Sequence, residues 1–497
     1  MHSAPPATLT SAPAAPPLDT VLARATAAAE RIRTSSPADR ARLLTVLADA
    51  LDAAAGRLIP VAHRETHLSE ARLTGELART TFQCRLFADR LATGALDDVR
   101  IDHADPDWPM GARPDIRRTT VPLGPVLVFA AGNFPFAFGV LGGDTVSALA
   151  AGCSVVVKAH PGHPALSRLT ASVAAAALAD AGAAPDLLQL IEGERDGADA
   201  VRDHRIKAVG FTGSTRGGHQ LFQLAAGRPD PIPFYGELGS TNPVVVTPAG
   251  WAERGADIAD GFAASFTLGS GQFCTQPGVV FVPDVDAFLA AMPPLVAGPM
   301  LDARTATGYA TALDDLAAQD GVRVAARTPG GDGLPDVAVL RTTTEAVRTT
   351  PSLISTEVFG PASLLVEYGT LDEVEEVLGD FEGTLTGTVQ GGHALDEDGL
   401  RMLDALTRHA GRVIWNEWPT GVTVSDAQQH GGPWPASTAP TTTSVGTAAV
   451  HRFRRPVAFQ NVPERGLPPA VRDRRGSASS GPGRPRTLQG PAGGAGR

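Results

Sequence analysis

Short apolar strands alternate with helices between residues 126 and 226, and this alternation limits the fold more than any other feature of the sequence. Four apolar runs have the length of buried strands, at 126–130, 154–158, 187–191 and 208–212. Helical patterns rich in Ala and Leu follow them, at 136–151, 166–181, 198–203 and 214–226. This order predicts a doubly wound parallel sheet, which binds ligands at the carboxyl ends of its strands.

A second segment of mixed strand and helix patterns runs from residue 235 to about residue 424. Its candidate strands are 242–247, 279–282, 364–368 and 411–415. A chain of 497 residues is long enough for two or three domains, each with its own core. We therefore predict an α/β protein with more than one domain.

Composition excludes several classes of protein. The formal net charge of −11 leaves no broad basic surface, which argues against nucleic acid as a partner. Three widely spaced cysteines favour a reducing compartment, so we expect a cytoplasmic protein. Residues 125–157 are almost uniformly apolar, but Asn133, Pro135 and Asp144 interrupt them, and no membrane span is predicted. The sequence contains no metal-ligand spacing.

The stretch from Gly269 to Pro277, GSGQFCTQP, is the best candidate for the centre of an active site. It places Cys274 after a long apolar helical run and before an apolar strand, with glycines that leave room for a substrate. A thiol is the most nucleophilic ordinary side chain near neutral pH, and we expect this position to lower the pKa of Cys274. A lone cysteine is also often a small buried hydrophobic residue, so the assignment depends on its neighbours.

Five short motifs occur along the chain, and each alone is a weak signal. They are Gly132-Asn-Phe-Pro135, Phe211-Thr-Gly-Ser214, Glu237-Leu-Gly-Ser240, Gly271-Gln-Phe-Cys274 and Glu357-Val-Phe-Gly-Pro361. Five motifs in this order make chance agreement improbable. From about residue 20 to residue 463, the chain resembles the NAD(P)-dependent aldehyde dehydrogenase superfamily.

The resemblance implies catalytic roles for three residues. Cys274 would attack an aldehyde as a thiolate and form a tetrahedral alkoxide, from which hydride leaves readily. The side-chain amide of Asn133 and the backbone N–H of Cys274 would stabilise the oxyanion. Glu237 would be the general base for the water that hydrolyses the resulting thioester. The implied reaction is the oxidation of an aldehyde to a carboxylic acid, without a metal.

The resemblance also implies a nicotinamide cofactor and the residues that hold it. The pyrophosphate would lie at the N-terminus of the helix after Ser214, where free N–H groups and the helix dipole favour anions. Lys158 and Glu357 would bind ribose hydroxyls, with Phe359 beside the nicotinamide ribose. The full set of expected cofactor-binding residues is Lys158, His160, Arg195, Phe211, Thr212, Gly213, Ser214, Gly218, Leu238, Glu357 and Phe359.

The choice between NAD and NADP is predicted from the end of the second strand. NAD specificity usually needs a carboxylate there, to accept a hydrogen bond from the ribose 2′-hydroxyl. The sequence Lys158-Ala-His-Pro-Gly-His163 contains no acid, and Arg195 after the third strand would add a bidentate contact to a 2′-phosphate. We therefore predict NADP, with NAD as the alternative.

Several stretches are similar to one branch of the superfamily, which contains α-ketoglutaric semialdehyde (2,5-dioxopentanoate) dehydrogenases and a bacterial fatty-aldehyde dehydrogenase. The stretches are 132–139, 158–161, 234–243 and 430–436. In that branch a histidine corresponding to His430 lies near the nucleophile, so His430 is a possible modulator. Trp434 departs from the branch and is expected to alter the substrate tunnel. The resemblance implies oxidation of α-ketoglutaric semialdehyde to 2-oxoglutarate.

Three other functions stay open at this point. A medium- or long-chain fatty aldehyde dehydrogenase is one, because no arginine can be assigned from the sequence as an anchor for a substrate carboxylate. A thiol esterase or amidase would use Cys274 with His430 and no cofactor. An inactive scaffold would require the loss of a motif residue, and none is lost.

Pattern and resemblance together divide the chain into segments. The two ribbons would pair across subunits, so a homodimer or a dimer of dimers is expected. The segments are a disordered leader (1–19), N-terminal helices on the cofactor domain (20–98), a ribbon of an oligomerisation arm (99–121), the NAD(P)-binding domain (122–234), the catalytic domain (235–424), a return to the cofactor domain with the second ribbon (425–463) and a mobile tail (464–497).

Overall fold

A computed structural model of the protein describes residues 16–331 and 333–473. Residues 1–15 of the predicted leader and 474–497 of the predicted tail lie outside this part of the chain. Contacts divide the chain into two units. The first comprises the residues up to 96 together with 121–455, and the second comprises 97–120 together with the residues from 456 onward.

The secondary structure alternates as the sequence predicts. The helices are α1 (Leu18–Arg33), α2 (Pro37–Ala53), α3 (Ala55–Thr66), α4 (Glu70–Ala92), α5 (Gly143–Ala151), α6 (Pro164–Asp180), α7 (Glu194–Arg202), α8 (Thr215–Ala226), α9 (Pro248–Thr267), α10 (Val285–Ala291), α11 (Ala303–Ala317), α12 (Thr344–Thr349), α13 (Ser352–Ser355), α14 (Leu371–Gly379) and α15 (Glu397–Thr407). The strands are β1 (Arg100–Asp102), β2 (Ile116–Pro122), β3 (Val126–Phe129), β4 (Val155–Lys158), β5 (Leu188–Ile191), β6 (Ala208–Thr212), β7 (Phe234–Glu237), β8 (Val244–Val246), β9 (Val279–Val282), β10 (Arg323–Thr328), β11 (Val337–Thr343), β12 (Ala362–Glu367), β13 (Thr384–Gln390), β14 (Ala410–Trp415) and β15 (Arg454–Gln460).

The first unit begins with four helices. Helix α1 starts at Leu18, inside the predicted leader, and helix α2 starts with a capping box between Ser36 and Asp39. The apolar faces of α2 and α4 share a core with the first sheet, which includes Leu44, Leu73 and Phe87. These helices therefore cover the sheet, as their Leu and Ala spacing predicts.

The first sheet of this unit is parallel, in the order β5-β4-β3-β6-β7. It confirms the predicted doubly wound sheet, with the carboxyl ends of the strands at one edge. Helix α5 begins at Gly143, so the predicted start at residue 136 is wrong. A Cβ at Gly139 would overlap the carbonyl oxygen of Pro135, and the chain turns there before the helix begins.

The second sheet has the order β10-β11-β12-β9-β8-β13-β14, and only β10 is antiparallel to its neighbour. Its central strands are apolar and fully buried, as in β9. The predicted strand 242–247 is shortened to β8 because Asn242 has a left-handed φ of 50° and Pro243 follows it.

The second unit contains most of the three-stranded sheet β1-β2-β15, in which β1 and β2 are antiparallel. The second ribbon, expected within 425–463, is extended only in part, because Thr447–Phe453 is a 3-10 helix before β15. Residues 464–473 of the predicted mobile tail are packed rather than free. The guanidinium of Arg117 donates to the carbonyl oxygen of Val471 at 2.8 Å and pairs with Asp473 at 3.0 Å.

Within residues 16–331 and 333–473, no helix has both the length and the apolar character needed to cross a membrane. The apolar stretch 125–157 is divided into β3, α5 and β4. Its apolar residues are explained by burial between the sheet and its covering helices.

Candidate active site

Cys274 lies in a turn between helix α9 and strand β9. The loop that leads to it is left-handed at three successive residues, with φ of 55° at Gly269, 58° at Ser270 and 66° at Gly271. A Cβ at Gly271 would overlap the backbone of Gly360, so only glycine fits there. The glycines of this motif therefore shape the loop that presents the thiol.

A buried asparagine, Asn242, is hydrogen-bonded to this loop. The side-chain amide of Asn242 donates to the carbonyl oxygens of Cys274, at 2.8 Å, and of Gln276, at 2.9 Å. Its own carbonyl oxygen accepts from the backbone N–H of Thr386 in β13 at 3.2 Å. Sequence reasoning gave Asn242 no role. The available signal was its place between the Glu237-Leu-Gly-Ser240 motif and Pro243, directly before a buried strand.

The structure brings Cys274, Glu237 and His430 together. The Sγ atom of Cys274 lies 3.6 Å from Nε2 of His430, and the same nitrogen lies 3.2 Å from Oε2 of Glu237. The three donor atoms are all within 4.8 Å of one another. Glu237 ends strand β7, and His430 is fixed because its backbone N–H donates to Oγ1 of Thr443 at 2.8 Å.

The pKa of Cys274 is raised well above its ordinary value, mainly by burial of the thiol and further by the nearby carboxylate of Glu237. The positive charge of Arg412 acts in the opposite direction but more weakly. The expected lowering of this pKa is therefore wrong.

Asn133 follows strand β3 and also contacts the cysteine loop. Its side-chain amide donates to the carbonyl oxygen of Gln272 at 3.0 Å, two residues before Cys274. Its backbone carbonyl oxygen accepts from the guanidinium of Arg72 at 2.7 Å. The turn after β3 is thus attached to both the cysteine loop and helix α4.

Helix α4 adds three charged residues that sequence reasoning did not assign. Arg72, Glu76 and Arg79 lie on one face of the helix and line a cavity of about 840 Å³ together with Phe134 and Phe273. Arg72 lies over the ring of Phe273, with its central carbon 4.8 Å from the ring centre. Since Phe273 immediately precedes Cys274, the cavity reaches the loop that carries the thiol.

These charges are buried, and several of their atoms lack hydrogen-bond partners. Within the described chain, no partner is present for one terminal nitrogen of Arg72 or for both terminal nitrogens of Arg79. Burial lowers the pKa of both arginines and raises that of Glu76. Glu76 is hydrogen-bonded within the protein, because its Oε1 accepts from the backbone N–H groups of Phe136 and Ala137. The two arginines that line this cavity therefore have N–H groups that the described residues leave unpaired.

Five of the eleven residues expected to bind a cofactor lie in the turn between β6 and α8 or in the adjoining ends of these elements. Thr212 ends β6, Gly213 follows it, and the side chain of Ser214 caps α8 by accepting from the backbone N–H of Gly217 at 3.3 Å. The first turn of α8 contains no acidic residue. A Cβ at Gly218 would overlap the side chains of Leu238 and Phe211, so glycine permits the close packing of this turn. These residues fit a pyrophosphate group.

The charges around the end of β4 differ from those expected, because carboxylates act on Lys158 as well as cations. Lys158 is buried, which lowers its pKa, and the carboxylates of Glu194 and Glu192 raise that pKa in turn. Acidic groups are therefore present after the neighbouring strand β5. Arg195 is exposed and pairs with Asp199 at 3.6 Å. A cation missed by sequence reasoning is Arg304, whose charge reaches Lys158 from helix α11.

His160 is directed at the first βα turn. Its ring lies against Gly132, where a Cβ would overlap it, and its Nδ1 accepts from the backbone N–H of Gly162 at 3.0 Å. Burial and the neighbouring His163 lower the pKa of His160 to about 3. The ring is therefore neutral at physiological pH and supplies no positive charge for a phosphate.

Glu357 and Phe359 lie in the loop between α13 and β12, and both are half-buried. Burial raises the pKa of Glu357 to about 7, although the backbone N–H of Ser240 donates to its Oε1 at 3.3 Å. Glu357 and Thr215 of helix α8 line a cavity of about 240 Å³. This loop therefore borders the turn that fits the cofactor.

Comparison with known proteins identifies the family. The chain matches the Aldehyde dehydrogenase family over residues 6–437. It belongs to this family and is an oxidoreductase that acts on aldehydes. The predicted fold class and reaction type are confirmed. The alternative hypotheses of a cofactor-independent esterase and of an inactive scaffold are set aside.

Two relatives within this family are similar to the chain over most of its length. The chain is 45% identical over 451 residues to α-ketoglutaric semialdehyde dehydrogenase 2 of Azospirillum brasilense, covering 88% of this chain and 85% of the relative. It is 40% identical over 446 residues to α-ketoglutaric semialdehyde dehydrogenase of Acinetobacter baylyi, covering 87% and 84%.

Solved structures share the fold at lower identity. The 1-pyrroline-5-carboxylate dehydrogenase from Thermus with bound NAD has a TM-score of 0.72 at 20% identity, covering 89% of this chain and 85% of that one. Glyceraldehyde-3-phosphate dehydrogenase of Methanocaldococcus jannaschii complexed with NADP has a TM-score of 0.74 at 16% identity, covering 89% and 93%. The fold thus occurs with either nicotinamide cofactor bound.

Proposed function

We propose that the protein oxidises α-ketoglutaric semialdehyde to 2-oxoglutarate through a thioester on Cys274, with NADP as the hydride acceptor. The observation that carries the proposal is a cavity beside the catalytic loop, lined by two arginines, Arg72 and Arg79, whose terminal N–H groups include several with no partner among the described residues. The two relatives named for this substrate, at 45% and 40% identity over most of the chain, support the same choice.

The first step is attack by Cys274 on the aldehyde carbon. Because the pKa of the thiol is raised, deprotonation needs a base in contact with it. Glu237 and His430 are the groups within reach of the sulfur, and we assign the proton to the carboxylate of Glu237, directly or through His430. The carbon–sulfur bond then forms, and the carbonyl oxygen becomes an oxyanion.

The oxyanion would be stabilised by the amide of Asn133 and the backbone N–H of Cys274. A side-chain amide nitrogen has two N–H groups, and Gln272 occupies one of those of Asn133. The other is available to the substrate oxygen. Since the same turn is tied to Arg72, the amide is held in place before the substrate binds.

A nicotinamide cofactor, when bound, would supply hydride acceptance and leave the acyl group as a thioester on Cys274. The proton that Glu237 took from the thiol leaves to solvent. The carboxylate of Glu237 then removes a proton from water, the water oxygen bonds to the carbonyl carbon, and the carbon–sulfur bond breaks. The carboxylic acid departs, and the proton held by Glu237 passes to the sulfur, which restores the thiol and the carboxylate.

The substrate class follows from the arginines on helix α4. A remote carboxylate in the cavity would accept hydrogen bonds from Arg72 and Arg79. A fatty acyl chain in the same place would leave those buried donors unpaired, which costs about 1–3 kcal/mol for each group. The test is turnover on α-ketoglutaric semialdehyde against decanal. We expect clear preference for the semialdehyde, and a clear preference for decanal would contradict the proposal.

For the cofactor, we propose NADP, on the grounds that Lys158 and Arg304 lie at the end of β4, with Arg195 nearby on helix α7. NAD is a second candidate, because the carboxylates of Glu194 and Glu192 also act on Lys158 and would accept from a ribose hydroxyl. Steady-state kinetics with each cofactor would separate them. A higher kcat/KM with NADP is expected.

We also propose a homodimer or a dimer of dimers in a reducing cytoplasm. The second unit exposes Trp108 and Met110, of which Met110 is 92% exposed. The three cysteines are all free thiols. Light scattering during gel filtration should give a multiple of the 51.2 kDa chain mass, and a monomer would contradict the assembly.

A further inference from the structure

The catalytic cluster also has the composition of a zinc site. We propose that Zn²⁺ binds the side chains of Cys274, His430 and Glu237 and thereby inhibits the enzyme reversibly. The donor atoms are Sγ of Cys274, Nε2 of His430 and a carboxylate oxygen of Glu237, all within 4.8 Å of one another. A thiolate, an imidazole and a carboxylate are all ligands that zinc accepts in proteins.

Two of the three distances between the donors match edges of a zinc tetrahedron, and the third, between sulfur and carboxylate, is within 4.8 Å. With usual zinc bonds to sulfur, nitrogen and oxygen, the tetrahedral angle gives about 3.6 Å between S and N and about 3.4 Å between N and O. The observed distances are 3.6 Å from Sγ of Cys274 to Nε2 of His430 and 3.2 Å from that nitrogen to Oε2 of Glu237. The side chains therefore need little movement to bind the ion.

A second observation is that Glu237 is buried without a hydrogen bond. Its side chain is 4% exposed, and within the described residues neither carboxylate oxygen has a hydrogen-bond partner. A buried anion of this kind is strongly stabilised by a cation. The presence of sulfur and nitrogen donors favours Zn²⁺ over Mg²⁺ or Ca²⁺, which prefer ligand sets made of oxygen.

Inhibition follows because the bound ion would block both the nucleophile, Cys274, and the base, Glu237. On binding, the thiol of Cys274 loses its proton to solvent as the sulfur–zinc bond forms, with no change in oxidation state. Occupancy should therefore increase as pH rises. Only the inhibitory consequence rests on the proposed catalytic roles, since binding of the ion depends on geometry alone.

The test is binding of Co²⁺, used as a coloured substitute for zinc, to the full-length enzyme. We expect one ion per chain, with the near-ultraviolet thiolate-to-cobalt absorption and the intense visible bands of a tetrahedral site. Cys274→Ser should abolish the thiolate absorption. His430→Asn should weaken binding by at least the 10- to 100-fold that follows loss of an outer-shell partner. The matched control is His204→Asn, at an exposed histidine, which should not change binding.

A measurement on the unmodified protein tests the zinc site without depending on the folding of any variant. Zn²⁺ should slow alkylation of Cys274 by iodoacetamide and inhibit aldehyde oxidation, EDTA should reverse both effects, and Mg²⁺ should cause neither. Cys84 and Cys153 are fully buried, so the reaction reports on Cys274. Alkylation unaffected by Zn²⁺, or cobalt spectra unchanged in Cys274→Ser, would overturn the site. If the cobalt site is present but α-ketoglutaric semialdehyde is not oxidised, only the proposed substrate fails.

Discussion

Oε2 of Glu237 lies 3.2 Å from Nε2 of His430, and both side chains are almost completely withdrawn from solvent. The same nitrogen is 3.6 Å from the sulfur of Cys274. The thiol therefore has a base beside it, although the burial and negative charge around it raise its pKa. The arrangement suits a cysteine that becomes a thiolate when it passes its proton to a neighbour, rather than one that is permanently ionised.

The pH dependence of thiol reactivity should reveal the charge of Glu237. The carboxylate disfavours the thiolate, so Glu237→Gln should lower the pKa of Cys274 and move the alkylation profile to lower pH. The measurement is the rate of iodoacetamide labelling against pH. Glu30→Gln, at an exposed glutamate, is the control and should leave the profile unchanged. A shift to higher pH in Glu237→Gln would show that the carboxylate favours ionisation instead.

Replacement of Asn133 by Ala should reduce kcat by about 10²–10³, because one preorganised donor to the oxyanion is lost. Binding of NADP should change little, since the side chain contacts the cysteine loop rather than the β6–α8 turn. Stopped-flow measurement of the hydride-transfer step separates the two effects. Asn461→Ala, which lies in the second unit, serves as the control. An unchanged rate of hydride transfer in Asn133→Ala would remove Asn133 from the oxyanion site.

Arg79→Met should lower kcat/KM for α-ketoglutaric semialdehyde while leaving kcat/KM for butanal unchanged or higher. The loss of a hydrogen bond between charged groups costs about 1.5–3 kcal/mol, or roughly 10- to 150-fold. Arg72→Met should act in the same direction. Arg64→Met, on an exposed face of α3, is the matched control. Equal losses on both aldehydes would mean that the arginine supports the fold and not the carboxylate.

Cofactor preference should depend on the cations near Lys158. Arg304→Gln and Arg195→Gln together should raise KM for NADP by about five- to tenfold, with little change for NAD, because partly solvated contacts to a phosphate are worth about 1 kcal/mol. Arg202→Gln, at the other end of α7, is the control. If KM for NADP and NAD change equally, then neither arginine contacts the 2′-phosphate.

The strands were predictable because each is a short apolar run with clear ends. Strand β6 and strand β9 have the predicted bounds, since a glycine or proline limits each run. The start of α5 was not predictable from apolar content, because it depends on the backbone contact at Gly139. Sequence pattern alone does not report such a contact between residues that are close in space.

In the site, sequence motifs located Cys274 and Glu237, because the chemistry requires those residue types in that order. The sequence did not single out Arg72 and Arg79, because the pattern of α4 is that of an ordinary amphipathic helix. Only the fold brings these arginines to the cavity that Phe273 also lines. The direction of the thiol pKa was also missed. It depends mainly on the burial of the thiol and on the nearby carboxylate of Glu237, and both are set by the fold.

The central claim is that Cys274 carries the substrate as a thioester that Glu237 helps to hydrolyse. The most direct measurement is mass spectrometry of Glu237→Gln, quenched in acid after mixing with α-ketoglutaric semialdehyde and NADP. Because the loss of the carboxylate also lowers the pKa of Cys274, the thiolate can still form in this variant. We expect one NADPH per chain in a burst, an acyl adduct on the peptide that contains Cys274, and steady-state turnover lower by about 10²–10⁴. Full turnover in this variant, or a burst with no adduct on Cys274, would contradict the account.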